Sequence, residues 1–296
     1  MKRAVYLSIL GVITAVCIVI GIAGRVGRFT FGNHYGDLVT LDNEKLDAFD
    51  KMDFDTSVLD VNIVNGTKYA ISYQAQEKLV PKYYVEDGTL HIEQENIRNV
   101  DKMWNGNAKM HIEITVPKEA YLEEVDIQAN VGDVKLDGTK TKQFTCDAQV
   151  GDVDIKNAEL GETDIRADVG DIDICNSVLQ DTYLDASVGD IEMREVTLQD
   201  TEISADVGDV QIDVAGNRAD YNLDLEADLG DIRVDGKRSR SHIEEGGNGL
   251  YDLTVCGDIG SIEVNFTKYK KNEEKFLTKN LVSCKIIFAV GKTANA

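Results

Sequence analysis

The chain is short of proline, of basic charge and of patterned cysteine. Two prolines in 296 residues, where average usage would give about fifteen, exclude collagen-like and proline-rich architectures. Five cysteines (Cys17, Cys146, Cys175, Cys256 and Cys284) show no CxxC or other metal spacing and no disulfide framework. The four histidines, His34, His91, His111 and His242, fall on unrelated segments without ligand spacing. No G-x-S-x-G, P-loop or dinucleotide fingerprint occurs. Acids are plentiful but repeat uniformly, so no carboxylate pair is set apart as in glycoside-cleaving enzymes. The expectation is a protein that is not an enzyme and takes no cofactor.

Basic charge is scarce and confined to the ends. Lys and Arg number 31 against 53 Asp and Glu, a net charge of −22. Residues 1–28 carry +4 and 267–296 carry +5, which leaves −31 on the body between them. Such a body repels phosphate backbones, so nucleic-acid partners are excluded. An apolar share of 43% argues against global disorder.

Long apolar runs are also rare, with one exception. After Met1-Lys2-Arg3, the stretch from Ala4 to Gly24 carries no charge, close to the roughly 20 residues that a membrane-crossing helix needs. A cleaved signal peptide is the rival, but its apolar core usually spans about 7–15 residues. Val16 before Cys17 is not the small residue of a lipoprotein site. Residues 1–4 are expected in the cytoplasm, 5–24 as a transmembrane helix and 25–46 as a linker. The basic start places the large domain outside the cell.

The body is a repeat. Val131-Gly132-Asp133-Val134 recurs around Gly151, Gly170, Gly189 and Gly208 at steps of 19 residues. Copies around Gly230 and Gly260 follow after 22 and 30 residues. Aligned on Gly, the places five, three and one before it and two and four after it are apolar, with Ala three before in six of the seven copies. Alternation of this kind marks half-buried strands on both sides of a Gly-Asp corner. Gly accepts a positive φ there. A 19-residue unit cannot bury its apolar face alone, whereas stacked coils can. The reading is an all-β, right-handed parallel β-solenoid over 119–266, with coils about 4.8 Å apart.

Upstream, Phe54, Thr56, Val58, Leu59-Asp60, Val61 and Ile63 form a degenerate copy with Leu59 in the glycine place. Strand-like runs at 68–73, 82–86, 89–94 and 109–116 complete an N-terminal β region, 47–118, that caps the first coil. The basic tail 267–296 fits no register.

Several features invite a binding role. Asp133, Asp152, Asp171, Asp190, Asp209 and Asp231 are expected to stack along one corner, where a calcium ion would relieve their repulsion. The favoured alternative is that each Asp accepts a backbone N–H in its own turn. Trp104 with Tyr83 and Tyr84 offers a sugar-stacking set, with exposed loop aromatics or ordinary packing preferred. Lys237-Arg238-Ser239-Arg240 is a basic island suited to wall polymer or headgroups, with a solvated loop preferred.

The DTSVLDVNIV copy, the HIEITVPKEAYLEEVDI entry, the VGDV/VGDI corners and the closing GSIEVNF together resemble the bacterial "putative adhesin" family of β-strand-repeat proteins, LiaG-like in type. The resemblance covers about 50–266. It implies a membrane-tethered surface solenoid with an adhesive or structural role and no established biochemical activity. The alternative it implies is an accessory of cell-envelope stress signalling. A cell-wall polymer or a membrane protein is the partner expected.

Overall fold

The computed structural model describes residues 36–95, 109–239, 241–247 and 249–267. The expected transmembrane segment and the tail beyond 267 lie outside the described residues, as do Cys17, His34, Trp104, Arg240 and Cys284. Among the described residues no helix is long and apolar enough to cross a membrane.

Among the described residues, regular structure is β throughout, apart from single 3-10 turns at Glu77–Leu79 and Arg218–Asp220. Each repeat lays one strand on a front sheet, turns at the Gly-Asp corner, and lays a second strand on a back sheet. Lys140–Val150, for example, pairs in parallel with Leu122–Ala129 on one side and Glu159–Val169 on the other. Its continuation Val153–Lys156 lies between Val134–Asp137 and Ile172–Cys175. Partners differ by 19 residues, so identical template positions meet: Cys146 with Ile165, Ile155 with Ile174. A short third side pairs Leu160 with Leu179 and Leu179 with Leu198. These are the extra apolar sites of each repeat, and all three are buried.

The core follows the template. Ile127, Cys146, Ile165, Leu184, Ile203, Val255 and Leu225 form one continuous inner row, each 0–1% exposed. Ala129, Ala148, Ala167, Ala186, Ala205 and Ala227 form a second buried row. The small side chain is needed there because the two sheets converge at the corner. Polar residues on the outward positions keep both broad faces wet.

The apolar place one before Gly departs from the expected inward face. Val150, Val188 and Leu229 are 40–49% exposed, and Val131, Val169, Val207 and Ile259 are half-buried. Ala148 pairs with Ala167 and Val150 with Val169, while the residue between them is unpaired. That kink turns the valine outward just before the chain reverses.

Stacking order is the second departure. The strands of coil 201–215 do not pair with those of the next coil in sequence. Thr201–Val207 pairs with Tyr251–Ile259, and Val210–Ala215 with Ile262–Thr267. The coil around Gly230 lies beyond that, pairing through Tyr221–Leu229 and Ile232–Val234. The last coil described is thus inserted inside the outermost one. The other end mirrors this. Lys51–Thr56 and Asp60–Gly66, the degenerate copy, stack on the Gly132 coil. On their far side lie Thr89–Glu93 and His111–Pro117, later in sequence.

Both ends are closed by antiparallel strands. Lys82–Glu86 covers Thr89–Glu93, and Ala70–Gln76 covers His111–Pro117. Leu38–Lys45 adds to Ala70–Gln76, so the second half of the expected linker 25–46 is a strand. Its Val39 and Leu41 pack against the core, which an unpaired linker would leave in water. At the opposite end Lys237–Ser239 and His242–Glu245 close the two sheets. Part of the basic island is therefore a capping strand and not a free loop. Capping by short, charged, antiparallel strands blocks further parallel addition.

Inward and outward faces make unequal demands. Ile165 is 0% exposed, and its neighbour Asp164 pairs with Arg166 at 2.9 Å on the wet face. In a chemical denaturation series, Ile165→Asp is expected to cost about 3–5 kcal/mol by burying an unpaired charge. Asp164→Asn is expected to stay within about 0.5 kcal/mol of the parent.

Candidate interaction surfaces

The Gly-Asp corners show how the acid row is held. The Asp152 N–H donates to Asp133 Oδ1 (3.2 Å), Asp171 to Asp152 (3.0 Å), Asp190 to Asp171 (2.8 Å) and Asp209 to Asp190 (2.7 Å). The row starts at Asp60, which accepts from Asp133 N–H at 3.0 Å. Each carboxylate therefore bonds the next coil, not its own turn as expected. A backbone N–H donated to a carboxylate offsets part of the repulsion along the row.

Stacking order changes the row's far end. Asp209 Oδ1 accepts from Ser261 N–H at 2.7 Å, so Ser261 separates Asp209 from Asp231. Asp231 is instead gripped by Arg238 of the capping strand, at 2.6 and 2.5 Å. The expected six-residue ladder is five consecutive aspartates, a serine, and one ion-paired aspartate. Among the described residues no three His, Cys, Asp or Glu side chains converge in a way that could hold a metal.

A second corner escaped the sequence reading. Six places after Gly132, Gly151, Gly170 and Gly189 stand Gly138, Asn157, Asn176 and Glu195, all at φ between +49° and +76°. Asn176 Nδ2 donates to Asn157 Oδ1, and Asn157 Nδ2 to Asp137 Oδ1, both at 2.7 Å. Two asparagines and a glycine in register were the available signal, since these residues tolerate the left-handed region.

The broad faces differ in charge. Outward rows of the front sheet carry Asp53, Asp126, Asp164, Glu202 and Asp224, then Asp55, Asp147, Asp185 and Glu226. Few cations answer them there: Arg166, and the histidines His91 and His242. The back sheet is balanced by pairs such as Lys156 with Asp154 at 2.8 Å and Arg194 with Glu192 at 2.5 Å. On the front face, burial raises the Asp126 carboxyl above its ordinary range, helped by the charges of Asp53, Glu124 and Asp147. Burial and the charges of Asp258 and Asp185 act likewise on Asp206.

Among the described residues no histidine joins a nucleophile and a third group. His91 Nδ1 lies 3.0 Å from Asp53 Oδ2 and stacks on Tyr84 at 4.9 Å between ring centroids. Tyr84 also donates to Glu93 Oε1 at 2.9 Å. Tyr83 is half-buried, edge-on to Tyr73. The aromatic pair of the sequence reading is thus split between two sides of one strand. His242 is exposed, 3.8 Å from Asp224. Cys146 is buried, and that burial pushes its thiol far up; Cys175 and Cys256 are free.

A shallow cleft of about 350 Å³ at the N-terminal end is lined by Asp55, Glu77, Glu93 and Gln94 among others. Gln94 is structural. Its Oε1 accepts from Ser57 and Val58 N–H groups at 3.0 and 2.7 Å, and its Nε2 donates to Leu79 O at 2.7 Å. It completes the corner where the degenerate copy has Leu59 in place of glycine.

Two expectations follow. Because each ladder Oδ1 already holds an N–H, thermal midpoints in millimolar calcium and in a monovalent salt of equal ionic strength are expected to coincide. A calcium-specific rise that shrinks in Asp171→Asn would show a cation site instead. Secondly, Asp126 binds its proton more readily folded than unfolded. Stability is therefore lost as pH rises from the unfolded carboxylate pKa through the raised folded one, and the loss is complete above that. Asp126→Asn is expected to raise the midpoint at neutral pH and to leave it unchanged at low pH.

No curated protein matches the chain. Among solved structures, a "putative adhesin" from Bacteroides fragilis shares 18% identity, covering 77% of this chain and 97% of its own, with a TM-score of 0.49. A "putative cell adhesion protein" from Clostridium sporogenes shares 14% over 78% and 99%, with a TM-score of 0.38. A "putative lipid binding protein" from Parabacteroides distasonis shares 15% over 80% and 98%, with a TM-score of 0.34. The family model described as Toastrack DUF4097 matches residues 49–246, most of the stacked coils. With that match over more than half its length, the chain belongs to the Toastrack DUF4097 family.

Proposed function

We propose that the protein is a contact module of the cell surface, adhesive or structural, which works by binding and not by catalysis. It is a rod of right-handed coils, tethered to the membrane through 5–24 with its acidic body outside. The observation that carries this reading is the surface periodicity. Each outward row offers the same position of successive coils about 4.8 Å apart. A repetitive partner such as a wall polymer meets many equivalent weak contacts on such rows, and avidity then replaces the single deep cleft of an enzyme.

The charge layout supports the same arrangement. A body of −31 is repelled by anionic headgroups and stands off the membrane it is tied to. Met1-Lys2-Arg3 ahead of the uncharged run favours a cytoplasmic N-terminus.

Protease added to intact, wall-stripped cells is expected to digest the body and leave a short membrane-embedded fragment. Full protection until the cells are lysed would place the rod inside and overturn the assignment.

A further inference from the structure

The coil 251–267 lies between two coils that precede it in sequence. On the front sheet Tyr251–Ile259 pairs with Thr201–Val207 on one side and Tyr221–Leu229 on the other. On the back sheet Ile262–Thr267 lies between Val210–Ala215 and Ile232–Val234. Equivalent residues face it from both sides: Val255 has Ile203 and Leu225, Gly257 has Ala205 and Ala227, and Val264 has Ile212 and Val234. The two flanking coils therefore match each other as well as either matches the insert. The antiparallel cap pairs with the outer edge of 221–234, so it stays in place if those coils meet.

The outer coil already touches the body along the third side. Tyr221, 2% exposed, donates its hydroxyl to the carbonyl of Leu198 at 2.8 Å, in the turn that leads into Thr201. A Cβ on Gly216 would lie 3.3 Å from the Tyr221 ring. The same ring packs on Tyr251 and Phe266 of the insert, at 5.5 and 5.3 Å between centroids. Body, insert and outer coil thus meet at one residue, which is placed to act as a hinge.

Charge explains why the insert is held between its neighbours. Its outward places are neutral where theirs are acidic. Thr254 separates Glu202 from Asp224, and Ser261 takes the place after Asp209 in the corner row. Glu263 pairs with Arg233 at 3.7 Å. The row of Asp206, Asp258 and Asp228 is acidic in either order and does not set the preference. Packing holds the insert less firmly. Gly257 interrupts the alanine row, although a Cβ there would meet nothing nearer than Ile262 at 3.6 Å.

We propose that 251–267 is a releasable wedge. In a second state the coil 221–234 swings about Tyr221, stacks directly on 201–215 in sequence order and sets the wedge free. Leu225, Ala227, Ile232 and Val234 then cover Ile203, Ala205, Val210 and Ile212, and the cap moves with its coil. The rod shortens by one coil, and Leu253, Val255 and Ile262 are exposed. Salt favours release, because screening weakens both the Arg233–Glu263 pair and the repulsion between the newly adjacent acids.

Amide hydrogen exchange of the full chain in detergent tests this. A stack that only frays loses its outermost coil first, so 221–234 would exchange at least as fast as 251–267. The wedge is expected instead to exchange about tenfold faster than the coils on both sides of it. Raising salt from about 0.01 M to about 1 M is expected to add about fivefold. Gly257→Ala is expected to slow the wedge about threefold and to leave 201–215 unchanged. Exchange of 251–267 no faster than that of 221–234 would overturn the proposal.

Cysteine pairs read out the new neighbours. A disulfide needs Cα atoms within about 7 Å. Ser204 and Glu226 lie two strand spacings apart, about 9.6 Å, and become adjacent on release. In a chain carrying Cys256→Ser, the pair Ser204→Cys with Glu226→Cys is expected to oxidise within one chain. It is expected to do so faster than the off-register pair Glu202→Cys with Glu226→Cys. Equal rates would mean random opening and would overturn the proposal, as would bridges formed only between chains. If the cysteine variants misfold, the exchange order of the unmodified chain decides the matter by itself.

Discussion

Backbone contact between successive Gly-Asp corners is the constraint on which the rest of the rod depends. A Cβ built on Gly170 would lie 2.0 Å from the carbonyl oxygen of Gly151, and one on Gly189 would lie 1.9 Å from that of Gly170. The corner residues also hold φ between +143° and +155° along the regular coils, where L side chains are strained. Only glycine allows the chain to turn there while keeping each coil within hydrogen-bonding distance of the last. Once the corner is fixed, the aspartate beside it is placed to accept the next coil's N–H. The rows of Ile, Leu and Ala fall into register without further instruction.

The same constraint limits where the repeat can stop. A parallel stack ends in two open edges, and each unpaired edge would recruit another strand. Here the chain folds its own antiparallel strands over both ends, 70–76 and 82–86 at one and 237–239 and 242–245 at the other. That capping explains the insertion of coils out of sequence order. The hairpin after Val234 needs a free edge, so the Gly230 coil must be outermost and the Gly260 coil must enter behind it. The step of 22 residues from Gly208 to Gly230 supplies three residues more than a regular coil, enough to pass over one extra strand spacing of about 4.8 Å.

Charge is distributed with equal economy of means. Both sheets carry ion pairs, Lys51 with Glu124 and Arg166 with Asp164 on the front, Lys156 with Asp154 and Arg194 with Glu192 on the back. The central front rows around Asp126 leave most carboxylates to solvent and to one another. Among the described residues, His91 is held by Asp53 and Tyr84, Tyr83 packs edge-on to Tyr73, and Cys146 lies in the core. The outward surfaces are left as long rows and not as one convergent site. An outward aliphatic row beside the aspartate row is a consequence of the corner's kink.

The sequence by itself determined the coil. Its 19-residue glycine spacing, the alternation around each corner and the alanine row specify stacked parallel strands, because only in-register stacking puts identical positions in contact. Even Leu59, which lacks the glycine, was legible from the flanking pattern of Phe54, Val61 and Ile63. Tertiary structure alone decided the neighbours. The copies around Gly230 and Gly260 share one template, so either fits beside Gly208, and the choice rests on which end can be capped. Tertiary structure also decided the facing of Val150 and its equivalents, since alternation read along the chain points them inward and the unpaired residue before them turns them out. It likewise gave each aspartate a partner in the next coil, a bond between residues 19 apart that no local turn rule contains.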